Sequence, residues 1–103
     1  MKIHANGLAI LSGSIPHIPK SKGIASVIDN GIGSYQFVLS NPVDENYTCI
    51  FTARETKDEH GVFVNERSMF ERSEVDFLVE LRDKNDTPVD ADVNFAIIGD
   101  SHG

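Results

Sequence analysis

Residues Gly23–Ala53 read GIASVIDNGIGSYQFVLSNPVDENYTCIFTA and contain three apolar runs separated by turn-forming residues. In Tyr35–Leu39 and again in Tyr47–Ala53, large apolar side chains recur at every second position, which is the period of an extended strand. Asn30-Gly31 precedes the second run and tolerates the positive φ angles of a tight hairpin turn. The pattern predicts a β-meander with an apolar face that the rest of the chain must cover. The residues expected on that face are Tyr35, Phe37, Leu39, Tyr47, Cys49, Phe51 and Ala53.

Further strands are predicted on both sides of this meander. Residues 2–11 form a first strand that is broken or bulged at Asn6-Gly7, and two prolines restrict residues 15–23 to a loop or a sheet edge. The alternation over residues 74–81 is the most regular in the chain, with Asp76 and Glu80 pointing outward. Two further strands are predicted, a short one at Val62–Val64 and the last one at Val89–Ile98. The inward residues of the last two long strands are Val75, Phe77, Val79, Leu81, Val93, Phe95 and Ile97.

About six to eight short strands, with turn signals roughly every 8–12 residues and no amphipathic helix, predict an all-β fold. We expect an antiparallel β-sandwich, of jelly-roll or immunoglobulin-like type, that fills one domain over residues 1–103. The core of a domain this small gives a thin stability margin, which favours association with copies of itself.

The composition narrows the classes of function. A net charge of −7 repels phosphate backbones and argues against nucleic-acid binding. There is no apolar run of 18 residues, so membrane insertion is not expected, and the first residues do not resemble a signal peptide. We therefore expect synthesis in a reducing cytoplasm. The single cysteine, Cys49, lies on an apolar strand face and is predicted to be a buried core thiol.

No set of residues indicates catalysis, a cofactor or a metal centre. The four histidines match no metal-binding spacing, and Gly31-Ile32-Gly33 is interpreted as a turn because no helix follows it. Asp100-Ser101-His102 are adjacent in sequence and cannot converge as a catalytic triad. The acidic residues 83–92 lack the glycine and the distal glutamate of an EF-hand. We interpret them as a turn rich in Asp and Asn, with calcium binding as the alternative.

The turns and strand ends of the chain follow a recognisable order. A strand ends in an Asn-Gly turn, Gly-x-Tyr follows, and a proline loop leads to Asn-Tyr at the next strand. An Asp-bearing turn then precedes a final strand that ends in glycine. In this chain these features are Asp29-Asn30-Gly31, Gly33-Ser34-Tyr35, Asn41-Pro42, Asn46-Tyr47, Asp83–Asp90 and Val93–Gly99. The pattern resembles small structural modules of tailed bacteriophages and prophages, and the resemblance implies a compact β-sandwich without catalytic residues or cofactor, which assembles as a homotrimer or sits symmetrically on a particle.

The first functional hypothesis is therefore a non-enzymatic virion protein of tail-fibre type, made in the host cytoplasm and located in the virion. The alternatives are a capsid decoration protein on the phage head, a carbohydrate-binding module and, least favoured, an enzyme. The expected partners are copies of the chain and other virion proteins, and a receptor on the host surface is a further candidate. Loops carry recognition in sandwiches, so residues 54–61 and 66–73 are the candidate contact loops. Their candidate contact residues are Arg54, Lys57, Arg67 and Arg72.

Overall fold

The computed structural model describes residues 2–11, 16–43, 47–54, 61–66 and 73–99. These residues form eight β-strands, and each strand pairs antiparallel with its neighbours. The strands are β1 (Lys2–Ile10), β2 (His17–Lys22), β3 (Ile24–Asp29), β4 (Ser34–Leu39), β5 (Thr48–Arg54), β6 (Phe63–Glu66), β7 (Asp76–Arg82) and β8 (Asp92–Gly99).

The strands make two sheets of four, which confirms the predicted β-sandwich. The first sheet has the order β2-β1-β8-β5, and the second has the order β3-β4-β7-β6. The strand β2 contains Pro19, which lacks a backbone N–H, and it lies at an edge of the first sheet, where a missing donor is tolerated. In the part of the chain that the structure describes, no helix is long and apolar enough to cross a membrane.

The core is built by the period-two pattern of the central strands. β4 and β7 bury every second residue, and β8 does the same over most of its length. The Phe37 ring stacks on the Phe77 ring at a centroid distance of 5.3 Å and meets the Phe95 ring edge-on at 5.4 Å. Cys49 is half-buried and packs against this core, so it is less enclosed than the sequence predicts. The fully buried large side chains are Leu11, Tyr35, Phe37, Phe77, Val79, Leu81, Val93 and Ile97.

Two details of the predicted strands are wrong. Val75 is predicted to face inward, but it points outward and is 41% exposed. The Ser73 hydroxyl accepts hydrogen bonds from the N–H groups of Val75 and Asp76, and these bonds hold the segment in a bend before β7 begins. The ladder also continues through Asn6 and Gly7, since glycine can stay paired at a φ of 150°. The register shifts of β1 lie before and after Asn6-Gly7. The shift against β8 lies between Ile3 and Ala5, and the shift against β2 lies between Leu8 and Ile10.

The hairpin between β3 and β4 follows the predicted turn chemistry. The amide of Gly31 donates to the Asp29 carboxylate at 2.8 Å, and the amide of Asn30 donates to the Ser34 carbonyl at 2.9 Å. The positive φ angles fall on Gly31 and Gly33, while Asn30 keeps a negative φ. The interpretation of Gly31-Ile32-Gly33 as a turn is confirmed.

Candidate protein-binding face

The outer surface of the first sheet carries exposed apolar side chains, among them Ile3 and Ile50. Because alternate residues of a strand point to opposite sides of its sheet, each strand that buries one row presents a second row to solvent. In the first sheet this second row contains apolar residues and uncharged polar residues. We call it the apolar face and define it as the side chains of Ile3, Leu8, Ile10, Ile50, Ala96 and Ile98, with Asn6, Thr48, Thr52 and Asn94 between them.

The strand register brings these side chains together in rows across the sheet. One row contains Ile3, Ile98 and Thr48, since β8 pairs with β1 on one side and with β5 on the other. A second row contains Asn6, Ala96 and Ile50. A third contains Leu8, Asn94 and Thr52. The apolar face is thus continuous over three strands, although its residues are distant in sequence.

The accessible areas confirm that this face is open. Ile3 is 52% exposed and Ile50 is 49% exposed. Leu8, Ile10, Ala96 and Ile98 are half-buried, yet they do not belong to the hydrophobic core or to the residues packed against it.

The outer surface of the second sheet has a different chemistry. The Gln36 amide donates to the Asp76 carboxylate at 2.6 Å across β4 and β7. On β7, Arg82 forms an ion pair with Glu80 at 3.3 Å. Hydrogen-bonded polar and charged side chains thus share the centre of this surface with the half-buried apolar side chains of Val38 and Leu78.

Charged groups lie only around the rim of the apolar face, among the residues described. Arg54 ends β5 and is paired in register with Asp92 of β8, at one end of the face. The Asp92 carboxylate accepts the backbone N–H of Leu11 at 3.0 Å, so it also holds the end of β1 in place. Lys22 is exposed at the opposite side of the sheet, on β2. The rim is therefore more cationic than the molecule as a whole.

An open concavity of about 570 Å³ adjoins the apolar face at Ile3. Gly23 forms its floor with a φ of 81°, and a Cβ atom at this position would lie 2.9 Å from the Cα of Ala5. This glycine lets the β2–β3 connection lie directly against β1. The remaining lining residues are His4, Lys22, Ser40, Asn41, Pro42 and Val43.

The acidic residues between β7 and β8 hold loops in place. The Asp83 carboxylate accepts the N–H groups of Asn85 and Thr87, at 2.8 and 3.0 Å, which confirms a turn built around Asp83. Asp90 accepts the N–H of Gly33 at 2.9 Å and lies 2.6 Å from the Tyr35 hydroxyl. Among the described residues, no three His, Cys, Asp or Glu side chains are grouped to hold a metal ion.

The Tyr35 hydroxyl is buried beside two oxygen acceptors. It lies within hydrogen-bond distance of the Asp90 carboxylate and, at 3.1 Å, of the Leu11 carbonyl. Burial, and then the hydrogen bond and the negative charge of Asp90, raise the pKa of Tyr35 well above its ordinary value. This group ties β4 to the end of β1 and to the segment before β8, and its role is structural.

Of the four contact residues predicted from sequence, the structure places one. Arg54 is exposed at the end of β5, on the rim of the apolar face. Lys57, Arg67 and Arg72 lie outside the described residues. Sequence reasoning passed over the apolar face itself, although Ile50, Ala96 and Ile98 already stood at the alternate positions of two predicted strands. Apolar residues in both phases of a strand were the signal that could have revealed it.

Comparison with protein-family models, with curated proteins and with solved structures gave no match to this chain. The resemblance to phage structural modules therefore rests on the sequence pattern alone.

Proposed function

We propose that this chain is a structural module of a bacteriophage virion, of tail-fibre type, which works by binding protein surfaces. The observation that supports this proposal best is the apolar face. Contiguous exposed apolar surface is uncommon on monomeric proteins and marks sites of contact with other proteins or with membranes.

The chemistry of the face favours a protein partner over a nucleic acid or a sugar. Its centre offers isoleucine, leucine, alanine, threonine and asparagine, and these residues provide neither the positive charge that phosphates need nor an aromatic platform for a sugar ring. Tyr35 and Tyr47 are both buried. Among the aromatic residues that the structure describes, Phe63 alone is largely exposed, and it belongs to the second sheet.

Self-association and contact with other virion proteins are both part of this proposal. The resemblance implies a homotrimer or a symmetric position on a particle. A capsid decoration protein on the phage head is the second candidate, because a sandwich with a net charge of −7 would bind basic or apolar patches between capsomers. A host receptor remains a further partner for the loops at the ends of the sandwich.

The proposal is tested on particles. Virions are purified from a culture of cells whose DNA encodes the chain, and their proteins are identified by mass spectrometry. Labelling of the particles with gold-conjugated antibody then shows whether the chain lies on the tail or on the head. We expect the chain in purified particles, on the tail. Label on the head would favour the decoration protein, and absence of the chain from particles would overturn the virion role.

A further inference from the structure

We propose that Asn30 is a site of spontaneous modification, at which the side-chain amide is lost and an aspartyl or isoaspartyl residue takes its place. The chain contains the dipeptide Asn-Gly twice, as Asn6-Gly7 and as Asn30-Gly31. The structure holds the two copies in different backbone environments, and this difference makes Asn30 the reactive one. The inference goes beyond the proposed function and does not depend on it.

The reaction uses the backbone nitrogen of the residue after asparagine as its nucleophile. The N–H of Gly31 loses its proton to hydroxide, and the nitrogen attacks Cγ of Asn30. A bond forms between this nitrogen and Cγ, the bond from Cγ to the amide nitrogen breaks, and ammonia leaves with a proton taken from water. The product is a five-membered succinimide ring. Water then opens the ring at Cγ, which gives aspartate, or at the backbone carbonyl, which gives isoaspartate.

The hairpin between β3 and β4 leaves this nucleophile accessible. Asn30 and Gly31 are exposed and lie outside the paired strands. The Gly31 N–H donates to the exposed carboxylate of Asp29 at 2.8 Å, and water can replace an exposed contact of this kind at small cost. A Cβ atom built on Gly31 would have no heavy atom within 4 Å, so the surroundings leave space for the ring to close.

The other Asn-Gly dipeptide is held by two hydrogen-bonded ladders. Its strand β1 lies between β2 and β8, and Gly7 is opposite Ser21 on one side and Phe95 on the other. Each backbone N–H of a strand that is paired on both sides points into one of its ladders. Because the succinimide has no N–H at the glycine nitrogen, closing the ring in β1 would remove a donor from a ladder. Asn6 is also exposed, so backbone pairing and not side-chain exposure separates the two sites.

Contacts at both ends of the hairpin turn confine the change to its tip. The Asn30 N–H donates to the Ser34 carbonyl at 2.9 Å through a nitrogen that the reaction does not use. The Gly33 N–H donates to the Asp90 carboxylate at 2.9 Å and ties the turn to the segment before β8. We therefore expect the modified chain to stay folded. It gains one negative charge at the hairpin tip, in addition to the net charge of −7.

The experiment follows both asparagines in one sample by mass spectrometry of tryptic peptides. The folded chain is incubated in warm, mildly alkaline buffer, and samples are taken over time. Trypsin cleaves after lysine and arginine, so Asn6 and Asn30 fall on separate peptides, residues 3–20 and 23–54, and fragment spectra locate the modified residue. A parallel incubation in guanidinium chloride gives the two rates in the unfolded chain.

We expect Asn30 to lose its amide at least about tenfold faster than Asn6 in the folded chain, because Asn6 reacts only when β1 opens. Unfolding should bring the two rates close together, since both dipeptides are then equally free. Asp29→Ala removes the acceptor of the Gly31 N–H and a charge that repels hydroxide. This variant should raise the rate at Asn30 and leave the rate at Asn6 unchanged.

A matched pair of variants, Asn30→Ser and Asn6→Ser, tests the assignment on the intact chain. Anion-exchange chromatography of the incubated natural chain should show a later-eluting form that carries one additional negative charge. Asn30→Ser should abolish this form, and Asn6→Ser should retain it. Circular dichroism establishes that both variants and the modified natural chain are folded.

Equal rates at Asn6 and Asn30 in the folded chain would overturn the inference. A difference that persists unchanged in guanidinium chloride would also overturn it, because the difference would then not come from the backbone environment. The result is independent of the particle experiment. A chain that is absent from virions can still react at Asn30, and a chain found in virions can fail to do so.

Discussion

Replacement of Phe77 by alanine is expected to be among the most damaging single changes to this fold. The ring is fully buried, stacks on Phe37 at 5.3 Å, and lies 6.0 Å from the rings of Tyr47 and Phe51. Removing a buried phenylalanine costs about 3–5 kcal/mol through lost transfer energy and the remaining cavity. A domain of 103 residues has a free energy of unfolding of about 5–15 kcal/mol. The loss is therefore between about a fifth and all of the stability.

The assay is urea denaturation followed by circular dichroism. With an m-value of about 1.5 kcal/mol/M, a loss of 3–5 kcal/mol lowers the urea midpoint by about 2–3 M. Phe77→Leu keeps most of the volume and loses the ring contacts, so it should cost about 1–2 kcal/mol. Phe63→Ala is the matched control, because this ring belongs to the same sheet and is 56% exposed. It should change stability by about 0.5 kcal/mol or less. Equal losses for Phe63→Ala and Phe77→Ala would refute the assignment of the inner face.

Three further changes test the polar and backbone features. Tyr35→Phe should cost about 1–2 kcal/mol, since it removes the hydroxyl beside Asp90 and Leu11. The pKa of Tyr35 is raised in the folded state, so the natural chain should lose stability as the pH rises above 10.0, the ordinary pKa of tyrosine. Urea denaturation at alkaline pH should show a smaller loss for Tyr35→Phe. Gly23→Ala should lower the melting temperature more than Gly31→Ala. Both residues have a positive φ, but a Cβ atom at Gly23 meets the backbone of β1, whereas a Cβ atom at Gly31 has no heavy atom within 4 Å. Equal melting temperatures for the two variants would contradict this prediction. Asp83→Ala should lower the free energy of unfolding by about 1–2 kcal/mol, because the backbone N–H groups of Asn85 and Thr87 lose their acceptor. Asp86→Ala, at a residue of the same turn with a φ of 63°, is the comparison variant.

Much of the architecture could be predicted from the sequence because it depends on local periodicity. The period-two spacing of Tyr35, Phe37 and Leu39 allows one face of a strand to be buried, whatever that face packs against. The turn residues Asn30-Gly31 and Asp83 form their hydrogen bonds within a few residues of the chain. The exposed Val75 escaped prediction, because apolar spacing alone does not reveal that the Ser73 hydroxyl competes for the backbone before β7.

The amino-acid sequence by itself determined that this protein is an antiparallel β-sandwich, because strand periodicity and turn chemistry are local properties of the chain. Tertiary structure alone decided that Ile3, Ile50 and Ile98 share one open surface, since that depends on the order β2-β1-β8-β5 and on its register. It also decided that Asp90, which in sequence looks like part of an acidic cluster, holds Tyr35 and Gly33. These contacts join residues 55 or more positions apart, and such pairings follow from packing two sheets together, which local spacing does not encode.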